Sequence, residues 1–258
     1  MLGNAGVVSV TFRSRTVEQI LALCKRNGLA AVEWGGDVHV PPGDLANARR
    51  VGELTRAAGL ACASYGSYLR LGAAEPAAAE QTVAAAVALG AANLRVWAGD
   101  RASADTGPEA FDEIVRQARR LAERCAAAGL TLSFEYHGLT LTDGRESAVR
   151  LMRAVDHPSC RIYWQPVQLL SREENLSALR AVLPWLSNVH VFHWLSAPDN
   201  GAIRRPLAEG AADWASYLSA LRADARTHHL LLEFVREETA AVFGEDCRTL
   251  RGWTETAV

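Results

Sequence analysis

The stretch LTLSFEYHGLTL, residues 130–141, holds the pattern on which both the fold and the candidate site depend. The apolar and β-branched residues Leu130, Thr131, Leu132 and Phe134 predict a buried strand. Glu135 and His137 follow where this strand runs out into a loop. Residues two apart at a strand end lie on the same side of the pleat, so the carboxylate and the imidazole share a face. Taken alone, the pattern also fits a rim glutamate paired with an arginine beside a solvent-facing histidine.

The rest of the chain repeats the alternation of a short apolar run with a longer helical pattern. The predicted strands are 7–12, 30–34, 60–65, 93–97, 130–134, 161–164, 188–192 and 229–234. The predicted helices are 16–27, 44–58, 75–89, 108–128, 143–155, 172–182, one capped by Asp213 after a long loop at 196–210, and 237–250. The strands begin roughly 25 to 40 residues apart, as in right-handed βαβ units.

Eight such units in about 250 residues predict an α/β fold, a closed (β/α)8 TIM barrel. A doubly wound open sheet is the alternative, but it would need a glycine-rich phosphate loop after an early strand. Arg13, Ser14 and Arg15 follow the first predicted strand instead. No linker or change in composition divides the chain, so we expect one domain over residues 1–258.

Composition excludes several classes of protein. The net charge of −2, with no basic half, argues against a nucleic-acid partner, which would require a surface rich in Lys and Arg. The alanine-rich segment 77–92 is too short and too polar to span a membrane. Five scattered cysteines without a C-x-x-C pair fit a reducing compartment. Because residues 1–10 do not read as a signal peptide, we predict a soluble cytoplasmic protein.

The ends of four successive strands carry polar side chains. These are Glu135, Gln165, His190 and Glu233. In barrels of this type the chemistry lies at the carboxyl ends of the strands, so these groups are expected to converge. Two carboxylates, an imidazole and an amide oxygen are plausible ligands for a divalent cation. The alternative is a buried polar plug, in which Arg95 on the fourth strand neutralises Glu135 without a metal.

The sequence resembles the xylose isomerase-like barrels, a family of sugar (phosphate) isomerases, epimerases and inosose dehydratases. The resemblance runs through AAVEWGGDVH, ASYGSYLRLG, LRVWAG, SFEYHG, NVHVFHW, RPLAEGAADW and LLEF. It implies a divalent metal held by Glu, Asp, His and Glu from strands five to eight, which here are Glu135, Gln165, His190 and Glu233. It also implies that Glu135 and Glu233 move a proton between neighbouring carbons while the metal polarises the substrate's oxygens.

The chain departs from this family pattern at two positions. Gln165 stands where the family has Asp, which lowers the formal charge of the ligands from −3 to −2 and should weaken metal binding. His193 stands where the family often has another Asp. An odd offset puts His193 on the face opposite His190, so both can line the site only if the strand has broken at Trp194. We expect Mn²⁺, Co²⁺ or Mg²⁺, with Zn²⁺ also allowed.

Six further residues are candidate substrate contacts near the mouth of the predicted barrel. They are His39, Trp97, His137, Gln168, His193 and Arg205. For His39 the alternative is a solvent-exposed loop histidine, and for Trp97 it is packing of a loop onto the barrel. Arg205 and its neighbour Arg204 could instead pair with Asp199 or Glu209.

These features predict a metal-dependent isomerase or epimerase that acts on a small, carbohydrate-like carbonyl compound. A dehydratase of an inosose or keto acid would use the same enolate chemistry. A degenerate barrel that binds a sugar without converting it would also explain Gln165. A DNA-repair barrel of the endonuclease IV type would need more His and Asp ligands and a basic face. Assembly into a homo-oligomer is left open by the sequence.

Overall fold

Eight parallel strands close into a barrel in the computed structural model, which describes residues 2–198 and 201–255. The barrel strands are β1 (Leu2–Val8), β2 (Ala31–Gly35), β3 (Ala61–Arg70), β4 (Asn93–Trp97), β5 (Thr131–Phe134), β6 (Cys160–Trp164), β7 (Leu186–Val191) and β10 (His228–Leu232). Each pairs with its neighbours along the chain, and β10 closes the ring between β7 and β1. The predicted (β/α)8 barrel is confirmed.

Eight α-helices connect or follow these strands. They are α1 (Val17–Arg26), α2 (Leu45–Ala57), α3 (Pro76–Leu89), α4 (Pro108–Ala127), α5 (Arg145–Val155), α6 (Arg172–Val182), α7 (Ala211–Arg222) and α8 (Ala240–Glu255). The side chain of Asp44 accepts a hydrogen bond from Asn47 N and caps α2, as predicted. Pro108 opens α4, where its missing N–H has no cost. Gly90 ends α3 with φ 72°, a left-handed conformation that glycine adopts without strain.

Four predicted boundaries were wrong. The third strand runs to Arg70, five residues beyond its predicted end at Tyr65. The first strand covers Leu2–Val8, and Ser9–Phe12 form a short 3₁₀ helix although residues 10–12 are apolar or β-branched. The last helix starts at Ala240, after a 3₁₀ turn at Arg236–Glu238. Helix α7 begins at Ala211, so Asp213 lies within its first turn and does not cap it.

The predicted long loop at 196–210 contains additional structure. β8 (Trp194–Ser196) and β9 (Ala202–Arg204) form a two-stranded antiparallel sheet beside the barrel. This pair follows β7 directly, so it begins at the carboxyl end of the barrel.

Alternation along the strands separates an apolar layer from a polar interior. The outward side chains join the core beneath the helices: Trp34 donates a hydrogen bond to Thr55 of α2, and Trp164 packs against Tyr217 of α7. Glu33, one residue before Trp34, therefore faces the inside of the barrel.

A side chain at Gly6 would clash with the Ala31 carbonyl, so glycine allows β1 to approach β2. No described helix is both long and apolar enough to cross a bilayer.

Candidate active site

Glu135, His190 and Glu233 meet at the carboxyl end of the barrel. Glu135 and Glu233 are the first residues after β5 and β10, and His190 lies near the end of β7. One possible ligand atom from each residue lies within 4.8 Å of the other two. His190 Nδ1 is 3.6 Å from Glu135 Oε1 and 3.4 Å from Glu233 Oε2. All three side chains are buried.

Gln165 completes the set of four strand-end residues. It follows β6, and its Oε1 lies 2.9 Å from His190 Nδ1. The four residues predicted as metal ligands are therefore neighbours in space. Ligation itself stays a prediction.

Arg95 joins two of the carboxylates across the barrel interior. Its Nη1 forms an ion pair with Glu135 Oε2, and its Nε donates to Glu33 Oε1 over 2.7 Å. The indole N–H of Trp97 also donates to Glu135 Oε2. Burial alone would raise the pKa of Glu135, but the charges of Arg95 and His190 outweigh it and hold that pKa below its usual value. Glu135 is thus an ionised group with one oxygen anchored and the other facing His190.

The predicted polar plug and the predicted metal site therefore share Glu135. Its Oε2 takes part in the ion pair, whereas its Oε1 is the atom that faces the other candidate ligands. The two arrangements do not exclude each other.

Glu33 belongs to this cluster, although it was not among the predicted site residues. It is fully buried in the middle of β2, and its Oε2 lies 3.6 Å from His190 Nε2. The signal was a single carboxylate inside an otherwise apolar strand, AVEWG, which requires a buried partner. The partner, Arg95, is 62 residues away and cannot be identified from a local pattern.

Trp97 and His137 lie beside the cluster, as predicted for residues that line the mouth. Their ring centroids are 5.2 Å apart with an interplanar angle of 33°. His137 Nδ1 lies 2.6 Å from the carbonyl oxygen of Gly138, and both side chains are partly exposed. They form a half-open aromatic wall next to Glu135.

Gln168 and His193 line a separate cavity of about 120 Å³ between the mouth of the barrel and α7. β7 ends at Val191, so His193 lies outside the regular strand. Its ring lies against Gly210, and its carbonyl accepts a hydrogen bond from Arg205 N. His193 and His190 therefore do not meet in one cluster. A substrate contact by Gln168 or His193 stays a prediction.

His39 and Arg205 also lie apart from the cluster. His39 is buried, with Nε2 3.1 Å from the Arg15 carbonyl, so the solvent-exposed alternative was wrong. Arg205 forms an ion pair with Glu209 over 2.8 Å, as one alternative predicted. Its neighbour Arg204 pairs with Glu238, and Asp199 lies outside the described residues.

The chemistry of the donor set fits a divalent cation. Glu135 and Glu233 offer two carboxylate oxygens, which match a charge of two, and His190 and Gln165 offer neutral donors. Carboxylate, imidazole and amide carbonyl are all ordinary ligands for Mn²⁺, Co²⁺ and Zn²⁺.

Comparison with known proteins agrees with this architecture. Residues 21–253 match the model of the xylose isomerase-like TIM barrel family. A 3-dehydroshikimate dehydratase from Bacillus anthracis is 29% identical over 107 residues, which are 41% of this chain and 38% of that protein. The chain thus matches well under half of the length of this curated relative.

Solved structures extend the similarity of fold to the whole chain. A probable 3-DHS dehydratase from Bacillus anthracis has a TM-score of 0.79 at 19% identity and covers 96% of this chain and 98% of its own. An L-ribulose 3-epimerase has a TM-score of 0.76 at 17% identity, and the match covers 99% of this chain and 95% of the epimerase. The IolI protein, solved with a bound zinc atom, has a TM-score of 0.74 at 14% identity, with 99% of both chains covered. At identities of 14–19%, these structures show a shared barrel fold.

Proposed function

This chain belongs to the xylose isomerase-like TIM barrel family, and we propose that it is a divalent-metal-dependent isomerase or epimerase. Its substrate is a small polyhydroxylated carbonyl compound, and the reaction moves a proton at a carbon next to the carbonyl. The observation that carries the proposal is the buried Glu135–His190–Glu233 group, whose possible ligand atoms lie within 4.8 Å of one another.

We assign the metal to Glu135, His190 and Glu233, with Gln165 as a fourth and weaker ligand. A bound divalent cation supplies Lewis-acid polarisation of the substrate's carbonyl and hydroxyl oxygens. Polarisation makes the neighbouring C–H bond acidic enough for a carboxylate to take its proton.

The proton transfer is assigned to Glu233 and Glu135. Glu233 takes the proton first, because Glu135 Oε2 already accepts hydrogen bonds from Arg95 and Trp97. Return of the proton to the former carbonyl carbon, together with transfer of the hydroxyl proton to the former carbonyl oxygen, completes an isomerisation. Return to the opposite face of the original carbon completes an epimerisation. Trp97 and His137 supply the wall against which the apolar face of the substrate packs.

A dehydratase is the second candidate, favoured by the 29% identical 3-dehydroshikimate dehydratase. The same enolate would then expel a neighbouring hydroxyl as water and leave a carbon–carbon double bond. The two candidates differ in product, since dehydration lowers the mass by one water and isomerisation does not.

Exchange of substrate hydrogen for solvent deuterium tests the shared step. Ketoses, inososes, keto acids and 3-dehydroshikimate are incubated in D₂O with the protein and Mn²⁺, Co²⁺ or Mg²⁺, and the products are analysed by mass spectrometry. We expect deuterium next to the carbonyl of at least one compound. Product formation without incorporation would contradict an exchangeable carboxylate base, and absence of both across the panel would contradict the proposed enzyme.

Metal binding is tested independently of turnover. We expect calorimetry to show one Co²⁺ per chain for the wild-type protein and strongly weakened binding for Glu233→Gln. The exposed Glu123 on α4 offers a matched control, and Glu123→Gln should bind Co²⁺ like the wild type. Equal binding by all three proteins, or by none, would contradict the assigned ligands.

A further inference from the structure

Five side chains form an arc along the part of the barrel mouth that β10 and β1–β4 build. They are Phe234 after β10, Arg13 beyond β1, Asp37 beyond β2, Tyr68 near the end of β3 and Trp97 at the end of β4. These strands are consecutive around the barrel. The arc runs between the two glutamates of the proposed reaction, because Phe234 directly follows Glu233 and the Trp97 indole N–H donates to Glu135.

Each member of the arc contacts the next one. Arg13 lies over the Phe234 ring, with its guanidinium carbon 5.4 Å from the ring centroid. The Tyr68 and Trp97 rings meet edge to face, with their centroids also 5.4 Å apart. Hydrogen bonds join the three polar residues between these two aromatic rings. A single aromatic residue therefore links this polar group to each of the two glutamates.

Arg13, Asp37 and Tyr68 form a closed hydrogen-bonded group, which we call the rim triad. Arg13 donates from Nε to Asp37 Oδ2 and from Nη2 to the Tyr68 hydroxyl, the latter over 2.8 Å. The Tyr68 hydroxyl donates to Asp37 Oδ2 over 3.1 Å. Asp37 Oδ1 accepts a hydrogen bond of 2.9 Å from Val38 N, and Arg13 Nη1 donates to the Val10 carbonyl over 3.4 Å. These bonds hold three side chains from neighbouring strand ends in one fixed arrangement.

The rim triad keeps donors and acceptors that its own bonds do not use. In the described part of the chain, Arg13 donates one bond from Nη1 and one from Nη2, which leaves a second N–H on each nitrogen. The Asp37 carboxylate and the Tyr68 hydroxyl each keep an unused lone pair. Solvent reaches all three side chains, since Arg13 is 44%, Asp37 21% and Tyr68 40% exposed. A ligand at the mouth can therefore reach these groups.

The unused groups suit a pair of neighbouring hydroxyls. A hydroxyl can accept a hydrogen bond from the Arg13 guanidinium and donate its own proton to the Asp37 carboxylate. A carboxylate or phosphate of a ligand can accept from Arg13 but has no proton for Asp37, whose negative charge repels it. The ion pair between Arg13 and Asp37 therefore favours an uncharged diol over an anionic group.

We propose that the rim triad binds two neighbouring hydroxyl groups at the end of the substrate away from the reacting carbons, and so selects a polyhydroxylated compound. The role of these hydroxyls as part of a substrate rests on the proposed function, whereas binding of a polyol to the rim triad does not. Trp97 contacts both Tyr68 and Glu135, so the carbon chain of the substrate would pass beside this indole.

Xylitol, a neutral polyol without a carbonyl group, tests this binding separately from turnover. The ¹H–¹⁵N signal of the Trp97 indole, assigned from Trp97→Phe, is followed while xylitol is added. We expect a saturable shift in the wild type, binding about 10–100-fold weaker in Asp37→Ala, and binding weakened by up to about tenfold in Tyr68→Phe. Glu18→Gln, which breaks the exposed ion pair between Glu18 and Arg50, is the matched control and should bind xylitol like the wild type.

The sign of the Asp37→Ala effect separates a diol site from an anion site. If Arg13 instead binds an anionic group, inorganic phosphate and not xylitol shifts the Trp97 signal, and Asp37→Ala binds phosphate more tightly because the repelling carboxylate is gone. That result overturns the inference, as does equal xylitol binding by all four proteins or by none. Absence of deuterium exchange across the compound panel contradicts the proposed function alone, while xylitol binding that depends on Asp37 and Tyr68 still supports the polyol site.

Discussion

Arg95 lies between Glu33 and Glu135 inside the barrel, with its Nε 2.7 Å from Glu33 Oε1 and its Nη1 paired with Glu135 Oε2. All three side chains are at most 4% exposed. Burial removes water from three charges at once, and each carboxylate is stabilised chiefly by the single guanidinium between them. The burial of two carboxylates at the mouth thus depends on a residue that touches no substrate in the proposed mechanism.

Arg95→Met tests this dependence. The substitution keeps a long apolar side chain but leaves Glu33 and Glu135 without their guanidinium, so we expect a loss of about 3–5 kcal/mol in the free energy of unfolding. Urea unfolding monitored by circular dichroism measures it. Arg116→Met, on the exposed face of α4, is the control and should cost less than about 1 kcal/mol. A loss of that small size for Arg95→Met would contradict the account of the ion pairs.

Trp97→Phe tests the second anchor of Glu135. Phenylalanine keeps an aromatic ring beside His137 but cannot donate to Glu135 Oε2. Loss of a hydrogen bond to a charged, buried acceptor is expected to cost about 1.5–3 kcal/mol in the free energy of unfolding. Trp185→Phe, at a half-buried position before β7, is a matched control. Equal and small effects of the two substitutions would show that the indole N–H does not stabilise Glu135.

The strand ends could be predicted from the sequence because a strand's end is visible locally. Glu135, Gln165 and Glu233 each follow an apolar run directly, and the barrel rule places such residues at one mouth. Glu33 was missed because it lies in mid-strand, and its partners, Arg95 and His190, are distant in sequence. No local pattern reports which strand faces which across a barrel.

The boundary errors have a similar physical origin. Residues 10–12 have apolar or β-branched side chains, yet they belong to a 3₁₀ helix, and β1 pairs with β2 and β10 only through residues up to Val8. The sequence does carry a local signal for the β8–β9 pair, because an Asn-Gly dipeptide, here at 200–201, favours a hairpin turn.

Leu139→Gly should stabilise the protein. Leu139 has φ 58° and is 70% exposed, so its side chain gains little from burial while its backbone holds a conformation that costs non-glycine residues about 1–2 kcal/mol. After the entropy cost of glycine we expect a gain of roughly 0.5–1 kcal/mol in urea unfolding. Leu169 is 59% exposed but is not among the residues with positive φ. Leu169→Gly should therefore give no gain, and a gain of the same size there would refute the role of φ.

His228 should make stability depend on pH below neutrality. Burial lowers the pKa of His228 relative to the unfolded chain. Between the two pKa values the unfolded chain binds a proton that the folded protein does not, so stability falls as the pH drops below about 6.5. Asparagine can keep a donor to the Ser187 carbonyl but does not titrate. The stability difference between wild type and His228→Asn should therefore shrink from pH 7.5 to pH 5, by at most about 1.4 kcal/mol per pH unit. A difference that stays constant over this range would contradict the depressed pKa.

Gln165→Asp tests whether the neutral residue weakens the proposed metal site. Asp adds a carboxylate beside His190 Nδ1, which is 2.9 Å from the present amide oxygen. With Co²⁺ present the added charge should tighten binding about tenfold or more, because the charge of the ligands tunes affinity. Without metal the same charge joins Glu33, Glu135 and Glu233 around one guanidinium, so the variant should melt at a lower temperature than the wild type.

Gln168→Asp, which changes a residue outside the cluster in the same loop, is the matched control and should show neither effect. Unchanged Co²⁺ affinity in Gln165→Asp, together with an unchanged melting temperature of the metal-free protein, would mean that residue 165 does not face the ligands.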